Sequence, residues 1–359
     1  MQPVAVIGGL MAAASERIME IEVRDNQGVK SDSVDITLDD RDHGIQIPSE
    51  GAELTVAIGY VETGLVFKGI YTVDSMTVNA QPYTVKLSAK ALDMKNPIKE
   101  KNYRSYTNQT LGGIVNQVAG RHGFGAQISG ALASHQIDYE AQSEESDLHL
   151  LSRLADRYDA TFKIANRQVL FAERGELASV SGLPMGACAV GPGNIVEYRC
   201  DVVQRPQHAG GRGRGWNRRT GREIREDGPT TSTSGSGRSR ARNQARGSAT
   251  TNGEARRRGG ARGNKSKRQR GQLSLTIVGD PTVTAESPVF VFGVRAGVDG
   301  VWRAKSVSHR LSGSQAFLTK IECEKPNNDR SASSVGIKSG PQKANPNAGP
   351  GTGLFVPVS

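Results

Sequence analysis

The residues of this 359-residue chain best suited to chemistry form one basic run, two acidic clusters and a scatter of histidines and cysteines. Arginines spaced by glycines dominate residues 205–271, with Arg212 and Arg214 inside GRGRGW and Arg256, Arg257 and Arg258 as a triplet. Guanidinium groups held apart in this way can follow a phosphate backbone or an acidic protein surface through a salt-sensitive attraction. Trp216 is the only aromatic residue of the run, and sequence-tolerant single-strand binding uses several aromatic side chains as stacking platforms. The run therefore reads as a solvated insertion, a segment that folds against neighbouring subunits, or a nucleic-acid contact.

Glu144, Glu145 and Asp147 could be read as the carboxylate pair of a glycosidase. Such pairs work through pKa values split by their environments, which an exposed helix start does not provide. Asp39-Asp40-Arg41-Asp42-His43 offers oxygen ligands, yet it falls between two strand patterns with no second ligand cluster, as a polar turn or subunit contact would. Histidines at 43, 122, 135, 149, 208 and 309 form no HExxH, and Cys188, Cys200 and Cys323 form no CxxC. Three scattered cysteines suit a reducing compartment as small apolar residues. Neither a GxxxxGK[ST] loop nor a GxSxG elbow is present. No catalytic residue, metal or cofactor is assigned.

The formal charge of +10 is unevenly placed. Residues 205–271 hold 19 Lys plus Arg against 4 Asp plus Glu, a net +15, so the remainder carries −5. A mildly acidic body would not by itself attract nucleic acid. The early apolar run Val4–Ala14 is far shorter than the roughly 20 residues that span a bilayer, and it lacks preceding basic residues. No membrane anchor and no signal peptide are expected.

The elements that would position these groups are mostly strands. From Ile18 to Ala89 apolar residues alternate with polar ones: Met19, Ile21, Val23; Val34, Ile36, Leu38; Leu54, Val56, Ile58; Leu65 to Val73; Val85, Leu87, Ala89. Hairpin-length breaks fall at Glu62-Thr63-Gly64 and Asn79-Ala80-Gln81-Pro82. The period then changes, with Leu111, Ile114, Val115, Val118 and Ala119 forming a helical stripe that Thr110 can cap and Gly123 can end. A second helix is expected after Ser143, with Leu148, Leu151, Leu154, Ala155 and Tyr158 buried. Short strands follow near 162–164 and 169–171.

Strand patterns return at Leu273 to Ile277, Val289 to Val291, Trp302 to Val307 and Phe317 to Cys323. Glycine, arginine and serine between 205 and 271 leave almost nothing to pack there. The expected organisation is a first β-barrel domain (1–95), an α/β insert (96–175) and a second β-barrel domain (176–204 plus 272–325). A basic insertion (205–271) interrupts that second domain, and an extended tail (326–359) ends in the apolar patch Leu354, Phe355 and Val356, a candidate docking tip. The fold class is α+β, mainly β, the first β-rich unit an antiparallel barrel or sandwich and the second barrel-like.

Four stretches make the sequence resemble the phage late control protein D family of contractile-tail baseplate hubs, related to the hub portion of type VI secretion VgrG spikes. They are SDSVDITLDDRDHGIQIPSEGAELTVAIGY (31–60), TLGGIVNQVAGRHGF (110–124), QSEESDLHLLSRLADRYDATFKI (142–164) and GDPTVTAESPVFVFGVRAGVDGVWRAKSVSHRLSGSQAFLTKIE (279–322). The most specific is Glu145-Ser146-Asp147-Leu148 followed by Leu151, Arg153, Leu154 and Ala155. One departure is TNGEARRRGGARGNKSKRQRG before Leu273, where relatives carry a helical Ala-rich run. Here Gly259, Gly260 and Gly263 replace helix formers, each at about 1 kcal/mol relative to Ala, so an isolated helix is not expected.

The resemblance implies two tube-like antiparallel β-barrel domains per subunit and a non-enzymatic homotrimer, whose six barrels give a pseudo-sixfold ring between the tail tube and the central spike. Implied partners are the spike, a tube or tube-initiator protein and other baseplate subunits, with nucleic acid met only in transit through a channel. Implied location is the virion tail baseplate, assembled in the host bacterial cytoplasm. Interface candidates are Arg212, Arg214, Arg256, Arg257, Arg258, Leu354, Phe355 and Val356. Two other functions stay open: a nucleic-acid-binding protein acting through the Arg/Gly run, and a peptidoglycan hydrolase of a tail tip.

Overall fold

A computed structural model describes residues 2–9, 17–28, 31–46, 48–49, 51–91, 97–174, 186–202, 210–217, 220–228, 243–245, 249–269, 271–313 and 316–326. The first module holds β1 (Pro3–Gly8), β2 (Ile18–Asn26), β3 (Ser33–Asp39), β4 (Glu53–Tyr60), β5 (Gly64–Asn79) and β6 (Thr84–Lys90). They pair in the order β1-β4-β5-β6-β3-β2. The alternation read from the sequence places Val34, Ile36, Leu38, Leu54, Val56 and Leu87 in one fully buried core. Each such side chain contributes about 1.5–3 kcal/mol relative to exposure. The apolar run at the start of the chain supplies β1, which lies antiparallel to β4.

The insert comprises β7 (Lys101–Thr110), α1 (Leu111–Arg121), β8 (Gly125–Ile128), α2 (Gly130–Ala133), β9 (Gln136–Ser146), α3 (Asp147–Tyr158), β10 (Ala160–Ala165) and β11 (Gln168–Glu173). Thr110 Oγ1 accepts from Gly113 N at 3.0 Å, and Gly123 turns the chain out of α1 at φ 70°. The second helix starts later than expected. Residues up to Ser146 remain in the ribbon β7·β9, so Ser146 rather than Ser143 caps α3, accepting from His149 N at 3.1 Å. Its buried stripe is Leu150, Leu151, Leu154 and Ala155, with Leu148 and Tyr158 partly covered. Asp159 ends it in the left-handed conformation, φ 53°.

After β12 (Cys188–Val190) and β13 (Ile195–Val202), the basic segment supplies β14 (Gly211–Asn217), β15 (Arg222–Asp227), β16 (Asn243–Gln244) and α4 (Asn252–Arg268). The helix is a correction to the sequence reading. Alternation along β14 turns Gly211, Gly213 and Gly215 toward α4 and the residues just before it, and turns Arg212, Arg214 and Trp216 away. A Cβ on Gly211 would meet Gly259 O at 1.9 Å, and one on Gly213 would meet Ala255 O at 1.8 Å. Helix and strand backbones therefore touch directly, a contact that offsets the propensity cost of the glycines. Ile224, Ala249 and Ala255 form a small core beneath them. At the helix start, Thr251 Oγ1 accepts from Glu254 N and Glu254 Oε2 from Thr250 N, a form of capping box.

The chain closes with β17 (Gly271–Val278), β18 (Pro288–Val291), β19 (Gly300–Ser312) and β20 (Phe317–Glu324). Together with β12 and β13 these pair in the order β12-β18-β19-β20-β17-β13. Replacing each strand by its rank, the path is that of the first module. The irregularities repeat as well. β5 shifts register between Val73 and Ser75 as β19 does between Ala304 and Ser306, and β2 between Ile18 and Glu20 as β13 does between Ile195 and Glu197. Two residues before the β5 and β19 shifts stand the buried aromatics Tyr71 and Trp302, each two residues after a positive-φ glycine, Gly69 and Gly300. One pairing differs: β1 runs antiparallel to β4, β12 parallel to β18.

β2 and β19 pair antiparallel from Asn26↔Ser306 to Glu20↔Ser312, so both modules form one twelve-stranded sheet over two cores. The expected separate barrels are thus halves of a continuous sheet. Among the described residues that sheet is open along β1, β12 and β13.

Candidate interaction surface

The seam between modules buries a charged cluster. His309 of β19 lies opposite Val23 of β2, its Nδ1 3.1 Å from Thr319 Oγ1 and its Nε2 3.0 Å from Val283 O and 2.9 Å from Lys68 Nζ. Burial, aided by the Lys68 charge, pushes His309 down to about 3, and burial pushes Lys68 down to about 8. The insert is anchored here: Lys163 of β10 pairs with Asp25 at 2.5 Å and Asp32 at 2.8 Å. Burial raises Asp32 to about 6 despite that ammonium. For Asp25, Lys163 and the Ala285 N–H outweigh the desolvation and hold the carboxylate below its usual range. Beside this cluster, Arg303 is fully buried between Glu286 and Glu324. The basic segment is tied in as well, through Arg268 to Asp159 at 2.6 Å and Asn264 to Asp159 at 2.9 Å.

The acidic residues singled out in the sequence are committed to structure. Asp147 is buried; burial alone would raise it, but hydrogen bonds from His122 and Gln142 and the charge of Arg121 hold it below the usual carboxylate range. Glu145 binds Arg153 and His149, and Glu144 accepts from Tyr103 Oη at 2.7 Å. Asp42 pairs with Arg17, Asp39 with Arg41, and Asp40 accepts from Ile45 N at 3.1 Å, so the run from Asp39 to His43 is a turn closed by local bonds. Among the described residues no three His, Cys, Asp or Glu side chains converge as a metal would need. No described helix is long and apolar enough to cross a membrane. His208 lies outside the described residues.

The basic candidates are split between two places. Arg212 and Arg214 stand on the outer face of β14, paired with Asp227 and Glu223 at 2.8 Å each, beside the half-exposed Trp216. Arg256 points to solvent, Arg257 lies over the Tyr158 ring, and Arg258 pairs with Glu254 at 2.6 Å. Between α3 and α4 runs a cleft of about 410 Å³ whose walls include Arg153, Arg157, Arg258, Arg262 and Lys265. Leu354, Phe355 and Val356 lie outside the described residues. What the sequence reading missed is the outer edge of the sheet. On β13, Val196 and Tyr198 are exposed, and so is Val78 in the second half of β5. The period-two pattern of IVEYRCDV carried that signal.

Two β-modules of one strand order, fused edge to edge and carrying an α/β insert, define a scaffold that presents paired modules and open sheet edges. Residues 33–315 match the phage tail baseplate hub (GPD) family, and the chain belongs to it. It is 32% identical over 171 residues to the probable baseplate hub protein of Escherichia phage 186 and 34% identical over 168 residues to that of Escherichia phage P2. Those matches cover 48% and 47% of this chain but only 44% and 43% of the relatives, so the chain spans under half of their length.

Among solved structures, the 43 kDa tail protein of prophage MuSo2 from Shewanella oneidensis is 16% identical with a TM-score of 0.65, over 91% of this chain and 98% of that one. The tail protein of Neisseria meningitidis MC58 gives 11% and 0.66, over 90% and 97%. An Escherichia coli component of the type VI secretion system, described as similar to phage T4 tail proteins, gives 12% and 0.58, over 91% and 78%. At these identities the likeness is one of fold.

Proposed function

We propose that this chain is the structural hub of a contractile phage-type baseplate, acting as a ring of three copies between the sixfold tail tube and a threefold central spike. The observation that carries the reading is the repeated strand order with its matched register shifts. It gives each copy two equivalent positions about an axis, so three copies present six modules to the tube while keeping threefold symmetry for the spike. The work is done by interfaces rather than by bond breaking. Its acidic clusters fit that role, because Asp147 is held ionised by Arg121 and His122 where a general acid would need a raised pKa.

In this reading the outer face of β14 and the exposed side of α4 meet other baseplate subunits. The tail patch from Leu354 to Val356 meets the spike or a neighbouring copy, and assembly takes place in the host cytoplasm before the tail is complete. Native mass spectrometry of the purified chain tests the stoichiometry. The expected mass is that of three copies, and a species that stays monomeric at assembly concentrations contradicts the proposal.

A further inference from the structure

We infer that β13 of one copy adds antiparallel to the second half of β5 in the next copy, in the register Val78↔Cys200. This rests on the ring reading and names the contact that closes it. The template lies inside the chain. β18 covers β19 only from Gly300 to Arg303, and the vacated edge from Ser306 to Ser312 is taken by β2. In the first module, β4 covers β5 only from Gly64 to Thr72. The edge from Asp74 to Asn79 on that side has no partner strand among the described residues, and neither does the outer edge of β13.

The matched register shifts fix which residues correspond. Val78 lies five residues beyond Val73 as His309 lies five beyond Ala304, and Cys200 lies five beyond Ile195 as Val23 lies five beyond Ile18. Inside the chain His309 stands opposite Val23. Carried to the open edges, the same geometry sets Val78 opposite Cys200, with Thr77 opposite Asp201 and Asn79 opposite Arg199.

Burial agrees with an edge built to be covered. His309 and Ile21 are 1% and 0% exposed, whereas their counterparts Val78 and Tyr198 are 55% and 41% exposed. Apolar side chains stand in solvent in the single chain at the positions that the internal seam covers. A long edge of this kind templates pairing with another chain. A second copy is the fitting occupant, because it carries both halves of the joint, and repeated head-to-tail addition about an axis closes a ring.

The test uses Val78→Cys in the otherwise unchanged full chain, with Cys200 as its natural partner. Facing Cα atoms of an antiparallel pair lie about 4.5–5.5 Å apart, inside the roughly 4.4–6.8 Å range that a disulfide spans. Mild oxidation should give species of two and three chain masses on a non-reducing gel, lost on reduction, with peptides joined between position 78 and Cys200. Adding Cys200→Ser should abolish them, and Thr77→Cys, whose side chain leaves the opposite face of the strand, should not form them. Trimers in native mass spectrometry without the 78–200 bond overturn this seam and leave the ring standing. Monomers alone overturn both.

Discussion

Replacing Gly213 by Ala would separate α4 from the strand beneath it. The added Cβ would stand 1.8 Å from Ala255 O, 2.5 Å from Ala255 C and 2.8 Å from Ala255 Cα, all of them backbone atoms unable to rotate away. Relief requires α4 to retreat by more than an ångström, which forfeits contacts along its length in a close-packed layer. Overpacking costs about 1–3 kcal/mol, and a backbone obstacle places this case near the upper end, about 3 kcal/mol. At 1.4 kcal/mol per tenfold, opening of the β14–β15–α4 unit should become about a hundredfold more frequent. Hydrogen exchange of the amides from Asn252 to Arg268 reads this directly. Gly253→Ala is the control, since its nearest neighbour is the flexible Arg257 Nη1 at 3.6 Å, and it should slow the same amides by about 0.4–1 kcal/mol. Equal exchange in the two variants would refute the glycine-to-backbone packing.

Two further outcomes follow from the buried charges. Arg303→Met should lower stability by about 3–5 kcal/mol in chemical denaturation, because Glu286 and Glu324 lose their common partner inside the fold; a change under about 1 kcal/mol would show the pairs to be spent in solvent. His309, at about 3 when folded against an ordinary 6.5, binds its proton first in the unfolded chain. Its contribution is complete above pH 6.5 and is lost as pH falls toward 3, so His309→Gln should flatten the loss of stability between those limits, and an unchanged slope would contradict its burial as the neutral form.

Much of the fold was legible because the burial pattern and the local chemistry agree. Val34, Ile36 and Leu38 alternate in the sequence and lie at zero exposure in β3, and Thr110 caps α1 where the helical stripe begins. The start of α3 was misplaced because Ser143 and Ser146 are equivalent as caps until β7 claims the residues through Ser146. α4 was hidden for a different reason. Its glycines weaken an isolated helix, and only the facing glycines of β14, some forty residues away in sequence, turn that weakness into a close contact. GRGRGW does alternate with period two, but with glycine in the place of an apolar residue. The sheet edges were legible only in part: IVEYRCDV alternates with period two, but an exposed Val78 and a buried Val73 look alike until pairing is known.

The two-module repeat is tested most directly by an electron-microscopy reconstruction of the purified chain. It should show a closed threefold ring of six β-modules superposable by successive rotations of about sixty degrees, with intrachain and interchain seams of the same geometry alternating around it. A solitary particle, or modules unrelated by rotation about a common axis, would contradict it.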